Sequence, residues 1–362
     1  MFPVALSVLL LVSACSVSIG TEESNTAEQT LQAVYLQQTV DAQVEVKEST
    51  STPEQPVEAT VQPTATREIV HTAIPGEPGW VSQWWLDSNS ASTAGQKRAN
   101  GGDFLSQNLL ERPLTAKEMK YRPDVDLIRV DLGHNPTFYY IQLHLNGVNP
   151  DNSMLSAFYG VEFDTNRDGR GDVLMWVKGD GNSEWNIDDV WVYQDGNNDV
   201  GGSRPARADA PSGGGNGFEK LLFSPNDLND PDSAWKRVNP SDPTIIQLAI
   251  KKSMLGNKIT FMWSGWADDG IKDPGKFDYN DVFTLADAGS PISGQADYPL
   301  KALFLVDNTC RLAFGFEPTG SEVGGCVLPK PTSTPTATTV PPTLTPTLTP
   351  TLTPTLTETP IP

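Results

Sequence analysis

Apolar and polar residues alternate with a period of two in many short runs between residues 76 and 328. Successive side chains of a strand point to opposite faces, so this alternation predicts half-buried strands. The runs are rich in β-branched and aromatic residues and are bounded by Gly, Asn, Asp or Pro, as is typical of strands. Seven of them span residues 125–132, 138–145, 159–163, 173–177, 190–193, 245–250 and 259–263. Residues 115–121 favour a short helix. Because strands and helices do not alternate along the chain, we predict a mainly β fold. The fold would be a single antiparallel β-sandwich that is jelly-roll-like and contains short helices. Disordered arms would flank it on both sides.

Residues 1–15 are predicted to be a signal peptide. Their apolar run is too short for an ordinary membrane-spanning helix, and small residues follow it. The Val-Ser-Ala-Cys stretch at 12–15 resembles a bacterial lipobox, in which the cysteine becomes the new N-terminus and carries the lipid. We therefore expect Cys15 to anchor an exported lipoprotein to the membrane at the cell surface. Because the first three residues contain no Lys or Arg, a plain signal peptide and a secreted protein are the alternative.

The two arms of the chain differ in composition from its middle. Residues 16–75 carry nine acidic and two basic side chains and few apolar groups, which predicts a disordered tether. Residues 329–362 contain 10 Pro and 14 Thr with a repeated Thr-Leu-Thr-Pro unit, which predicts an extended low-complexity tail. Either arm is long enough to hold the middle of the chain away from a surface.

The chain has three cysteines. If Cys15 carries a lipid, Cys310 and Cys326 remain, and in an exported protein this pair is most simply a disulfide. It would close a loop of about 15 residues and contribute on the order of 3 kcal/mol in the chain-entropy account. We therefore divide the middle of the chain into a β-sandwich domain at 76–296 and a disulfide-stapled appendage at 297–328.

The charge of the chain restricts its partners. It has 25 Lys+Arg against 45 Asp+Glu, a formal net charge of −20, and its field repels nucleic acid. All nine Trp lie between Trp80 and Trp266. Most tryptophans in a sandwich belong to the core, but an exposed one offers a face for stacking on a sugar ring. Five tryptophans are candidates for that role: Trp176, Trp185, Trp191, Trp263 and Trp266.

Residues 164–172 place oxygen-bearing side chains at positions 1, 3, 5 and 9 and Gly at position 6. Ca²⁺ takes six to eight oxygen ligands, and such a spacing with a central Gly is that of a calcium loop. The predicted ligands are the side chains of Asp164, Asn166, Asp168 and Asp172 and the carbonyl of Arg170. Position 12 is a Met and the flanks are strands, so we predict a calcium-type loop at a β-hairpin rather than an EF-hand. A polar turn is the alternative.

Residues 195–199 repeat oxygen donors at positions 1, 3 and 5, through Asp195, Asn197 and Asp199. This segment is either a second ion site or a hairpin turn. It is also a candidate source of the ligand that the first loop lacks at position 12, as are residues 188–189. The predicted cofactor is calcium.

The order of strands and motifs resembles that of a known group of folds. A strand at 139–145 is followed by one that runs into Glu162-Phe163-Asp164, and an Ile-x-x-Ser-x-Leu-Gly turn at 250–256 precedes a late strand at 259–267. These features, over residues 125–285, resemble DOMON-like and family 9 carbohydrate-binding-module-like β-sandwiches. The resemblance implies a jelly-roll-like binding module. The two ends together are similar to those of surface lipoproteins of filamentous bacteria such as Chloroflexota.

No catalytic motif is found in the sequence. His71, His134 and His144 lie in no nucleophile or metal pattern, and no G-x-S-x-G or H-E-x-x-H is present. The leading hypothesis is a lipid-anchored, calcium-stabilised module that binds carbohydrate or a cell-envelope partner. The alternative is a structural or adhesive surface protein with no small ligand. A third hypothesis is a polysaccharide-active enzyme, because the many acidic residues leave room for a catalytic carboxylate pair.

Overall fold

The computed structural model describes residues 69–201, 217–227 and 229–327. Cys15, the predicted signal peptide, the Pro/Thr-rich tail and most of the predicted tether lie outside the described residues. The last residues of that tether are described and contact the sandwich. His71 Nδ1 lies 2.8 Å from Asp232 Oδ1, and the amide of Thr72 donates to Asp232 Oδ2 at 2.8 Å.

The described residues form thirteen strands and a few short helices. The strands are Val81–Leu86 (β1), Glu111–Arg112 (β2), Leu127–His134 (β3), Phe138–Leu145 (β4), Phe158–Asp164 (β5), Val173–Lys178 (β6), Val190–Gln194 (β7), Lys220–Phe223 (β8), Ala234–Val238 (β9), Ile245–Lys251 (β10), Phe261–Asp268 (β11), Val306–Asn308 (β12) and Leu312–Phe314 (β13). The α-helices are Ala91–Ala94 (α1), Tyr279–Val282 (α2) and Leu285–Ala288 (α3), and single 3₁₀ turns lie at Leu105–Gln107, Lys252–Leu255 and Pro274–Lys276.

The strands form two antiparallel sheets. The five-stranded sheet has the order β1-β3-β4-β10-β9. The other sheet has the order β2-β12-β11-β5-β6-β7-β8, and β13 pairs with β11 beside this path. The predicted mainly β, antiparallel sandwich with short helices is therefore confirmed. Residues 115–121 form turns instead of the expected short helix, because Lys117 and Met119 adopt left-handed backbone conformations at φ 59° and 54°.

The main core lies between the two sheets and follows the predicted alternation. Leu132, Ile141 and Leu248 are paired across β3, β4 and β10, and all three are fully buried. They belong to one apolar cluster with Val161 and Met175, which are paired across β5 and β6 of the other sheet. Burial of each such side chain contributes about 1.5–3 kcal/mol.

A second apolar cluster covers part of the eight-stranded sheet. Trp176 on β6 and Trp266 on β11 each pack against Phe277, with ring centroids 4.7 Å apart. Phe277 follows the 3₁₀ turn at Pro274–Lys276, and Tyr279 of α2 belongs to the same cluster. The short helices after β11 are thus fixed by aromatic packing and not by their own length.

The segment predicted as a separate appendage, 297–328, is part of the sandwich wherever it is described. β12 and β13 both pair with β11, so they extend the eight-stranded sheet. Cys310 lies between these two strands and forms a disulfide with Cys326. The disulfide therefore ties the end of the described chain to a strand connection within the sheet. No structural boundary falls at residue 296, since three-residue strands are stable only when paired into a larger sheet.

Candidate functional site

The predicted calcium loop connects β5 to β6, at a β-hairpin as expected. The second predicted segment follows β7, and the structure brings the two together. The amide of Gly171 donates to the carbonyl of Val200 at 3.0 Å, and Asn198 Nδ2 donates to Asp168 Oδ2 at 3.0 Å. The eight predicted ligand residues thus form one loop cluster at one end of the eight-stranded sheet.

Backbone amides occupy most carboxylate oxygens of this loop cluster. Asp164 accepts from the amides of Arg167 and Gly169 at 2.5 and 2.9 Å, and Asp172 accepts from the amide of Asn166 at 3.1 Å. Asp195 accepts from the four amides of residues 197–200. Burial raises the pKa of Asp164 to about 6 and that of Asp195 above its usual value.

The remaining predicted ligands also have partners within the loops. Asn166 Oδ1 accepts from the amide of Asp168, Arg170 donates from Nη1 to the carbonyl of Gly201, and Asn197 Nδ2 donates to Asp199 Oδ2. Asn166 and Asp168 are exposed, whereas Asp164, Asp195 and Asp199 are buried. Such bonds suit a polar turn as well as a metal loop, so calcium binding by these residues stays a prediction.

A buried guanidinium lies against the first loop. Arg311 donates from Nε and Nη2 to Glu162 Oε1, at 2.8 and 2.5 Å, and from Nη1 to the carbonyl of Gly169. Burial acts to lower the pKa of Arg311, but the charges of Glu162, Asp164 and Asp168 outweigh it and the pKa lies above its usual value. Part of the negative charge of the loop is therefore compensated by a residue that lies far away in sequence.

The outer face of the five-stranded sheet carries a row of mostly polar side chains, here named the polar row. Strand pairing aligns one residue from each of the five strands: Trp84, Asp131, Gln142, Gln247 and Arg237. Paired residues of an antiparallel sheet share a face, and four strand spacings give the row a length of about 19 Å.

Hydrogen bonds run along one half of the polar row. Gln247 donates from Nε2 to Gln142 Oε1 at 2.7 Å, and Arg237 donates from Nε to Gln247 Oε1 at 2.6 Å. Arg237 also forms a two-pronged ion pair with Glu77, at 3.0 and 2.5 Å, and stacks on Trp185 at 4.6 Å. These contacts fix the planar groups in one orientation.

The other half of the polar row is organised around Asp131. Arg129 Nε donates to Asp131 Oδ1 at 2.6 Å, and His144 Nε2 lies 2.9 Å from Asp131 Oδ2. Burial acts to raise the pKa of Asp131, but these two hydrogen bonds outweigh it and the pKa lies below its usual value. The guanidinium of Arg129 also stacks on Trp84, which is 54% exposed.

The tryptophan candidates are placed very differently. Trp176, Trp263 and Trp266 are at most 1% exposed and fill the two apolar clusters, so they are core residues and offer no face to a sugar ring. Trp185 and Trp191 are half-buried. The exposed tryptophans of the described chain are Trp80 and Trp84, which sequence reasoning did not select because β1 was not predicted.

A group of buried carboxylates, here named the carboxylate cluster, consists of Glu111, Asp126 and Asp307. One oxygen from each lies within 4.8 Å of the others, and within the described ranges no other such group of three is present. Glu111 and Asp307 are paired across β2 and β12, and Asp126 immediately precedes β3 of the other sheet. The cluster therefore lies where an edge of one sheet meets the other sheet.

Each member of the carboxylate cluster is anchored through one oxygen. Glu111 Oε1 accepts from Ser90 Oγ at 2.6 Å, and Asp307 Oδ2 accepts from the amide of Leu127 at 2.7 Å. Asp126 Oδ2 accepts from the amide of Ser90 and the hydroxyl of Tyr121. Asp126 Oδ1 and Asp307 Oδ1 are buried and have no hydrogen-bond partner.

Electrostatics disfavours charge on all of these groups together. Burial raises the pKa of Glu111 to about 10 and that of Asp126 to about 6, and it raises the pKa of Asp307 well above its usual value. Asp87, which follows β1, is affected in the same way, with its pKa raised to about 7. Repulsion among the carboxylates adds to burial for Glu111, Asp87 and Asp307.

Comparisons with known proteins give no match to a protein family, to a curated relative or to a solved structure. Among the described residues, no helix is long and apolar enough to cross a membrane.

Proposed function

We propose that the protein is an exported, lipid-anchored β-sandwich, stabilised by calcium, that binds carbohydrate of the cell envelope or its surroundings on the outer face of its five-stranded sheet. The observation that carries the proposal is the polar row, in which buried Asp131, Gln247 and Arg237 hold half-buried Gln142 in place beside the exposed ring of Trp84. Calcium at the predicted loops and a lipid on Cys15 belong to the same proposal.

The side chains of the polar row suit a ligand rich in hydroxyl groups. The side-chain amide of Gln142 has both donor and acceptor groups and so suits hydroxyls, which have both functions. A sugar ring also has an apolar C–H face, and an indole ring offers it a flat apolar partner. Because Gln142 is half-buried and Trp84 is exposed, both are accessible to such a ligand.

A glycan array followed by titration calorimetry tests the binding face. We expect Trp84→Ala and Gln142→Ala each to weaken binding of the strongest glycan at least tenfold, which corresponds to about 1.4 kcal/mol. Phe104→Ala is the matched control, because Phe104 is equally exposed at 53% and lies outside the five-stranded sheet.

If no glycan binds, or if both substitutions leave the affinity unchanged, the proposal is wrong. The first result would favour the structural or adhesive function instead. Detergent partitioning of the wild type and of Cys15→Ser tests the anchor separately, and the variant should move to the aqueous phase.

A further inference from the structure

We propose that the carboxylate cluster of Glu111, Asp126 and Asp307 binds a hard divalent cation, with Ca²⁺ as the expected occupant, and that the ion links the two sheets at this edge of the sandwich. The proposal is independent of carbohydrate binding and of the predicted calcium loops, which share no residue with the cluster.

The donor set fits such an ion. Two oxygens on opposite sides of a Ca²⁺ ion, each at 2.3–2.6 Å, are about 4.6–5.2 Å apart, and the cluster oxygens lie within 4.8 Å of one another. Asp126 Oδ1 and Asp307 Oδ1 are buried and free of hydrogen bonds, so they are available as ligands. A set made only of oxygens selects Ca²⁺, Mg²⁺ or Mn²⁺ over metals that prefer nitrogen or sulfur.

The cluster also lacks a counter-charge of the kind that Glu162 and Asp103 have. Buried Glu162 is paired with Arg311, and Asp103 is paired with Arg112 at 2.7 Å. None of Asp87, Glu111, Asp126 and Asp307 forms an ion pair with a basic side chain in the part of the chain that the structure describes. Burial of unpaired carboxylates is costly, and coordination of a metal ion is one of the few ways to compensate it. The raised pKa values of all four groups have the same physical origin.

The location gives the ion a structural role. Glu111 and Asp307 lie on β2 and β12, which are only two and three residues long. Asp126 immediately precedes β3 of the five-stranded sheet. An ion held by these side chains would join short strands at the edge of one sheet to the neighbouring sheet.

Thermal unfolding of the full chain in chelator and in CaCl₂, together with measurement of bound calcium, tests the proposal. Calcium at 100 times its dissociation constant should raise the Tm by about 5–10 °C for a domain of this size. Mg²⁺ at the same concentration should raise it less, because Mg²⁺ demands octahedral geometry at shorter distances. An equal or larger effect of Mg²⁺ would contradict the assignment to calcium.

The carboxamide variants Asp307→Asn and Glu111→Gln locate the ion. Each should lose one bound calcium and the part of the calcium-dependent rise in Tm that depends on the carboxylate cluster. In chelator, however, Asp307→Asn should melt no lower than the wild type, because it removes one buried, uncompensated carboxylate; this separates loss of the ion from misfolding. Asp168→Asn, in the predicted loop, is the control and should keep the rise that depends on the carboxylate cluster.

Three results would overturn the proposal. The wild type takes up no calcium and shows no shift in Tm, or both carboxamide variants keep the full shift, or the shift disappears only in Asp168→Asn. The last result would place the ion in the loop.

Discussion

Replacement of Arg311 by Met removes the buried positive charge beneath the loop between β5 and β6. The methionine keeps much of the side-chain volume but provides no donor. Glu162, which is 3% exposed, then loses two charged hydrogen bonds, and the carbonyl of Gly169 loses one donor. Charge-assisted bonds contribute about 1.5–3 kcal/mol each, so the two bonds to Glu162 amount to about 3–6 kcal/mol. Removal of one partner from a buried ion pair typically costs about 3–5 kcal/mol, which agrees with this sum.

We therefore expect Arg311→Met to lower the free energy of unfolding by about 3–5 kcal/mol, measured by urea denaturation. The corresponding drop in Tm is about 6–20 °C. The double variant Arg311→Met/Glu162→Gln also removes the unpaired carboxylate of Glu162. Its free energy of unfolding should be at least about 1–2 kcal/mol higher than that of Arg311→Met. The cycle of the two single variants and the double variant gives the coupling energy of the pair directly.

A loss below about 1 kcal/mol in Arg311→Met would refute the reasoning, and so would additive effects of the two substitutions. Either result would mean that solvent or another cation replaces the guanidinium when it is absent.

Two further predictions concern packing and the N-terminal segment. Gly160→Ala should lower the free energy of unfolding by about 1–3 kcal/mol, because the new Cβ would lie against the ring of Trp176, whereas Gly79→Ala has open space and should change little. Equal effects of the two would contradict the prediction. Hydrogen bonds from the amide of Thr72 and from His71 outweigh burial and lower the pKa of Asp232, so its stabilising contribution is complete above about pH 4 and is lost as the pH falls further. The protection factor of the Thr72 amide against hydrogen exchange should therefore fall in acid, and at neutral pH in Asp232→Ala; unchanged protection in the variant would exclude this anchor.

The fold class was predictable because apolar and polar residues alternate along β3 and β4. Their apolar residues Val130, Leu132, Ile141 and Leu143 belong to the main core, and polar residues lie between them. β9 escaped prediction because Lys236 and Arg237 are buried, the former through bonds from Nζ to the carbonyl of Lys178 and to Asp180. β2 and β12 are too short to show any period.

The candidate sites differ in how far apart in the sequence their residues lie. The calcium-type loop was recognisable because its oxygens lie within nine consecutive residues. The polar row depends on strand register, and a shift of one residue in any strand would turn its side chain to the other face. Its members therefore carry no common spacing in the sequence.

The carboxylate cluster shows why spacing alone is an incomplete guide to cation sites. Spacing identifies oxygens that a short segment can bring together, and in the loop between β5 and β6 the carboxylate of Asp164 has backbone amides as partners. Glu111, Asp126 and Asp307 are separated by up to about two hundred residues, and they are distinguished by oxygens that lie within 4.8 Å of one another and by two buried oxygens without a hydrogen bond. The position at which a cation would stabilise the fold most depends on which carboxylates are buried without a partner. In this protein, the pairing of β2 with β12 and their approach to β3 determine which carboxylates those are.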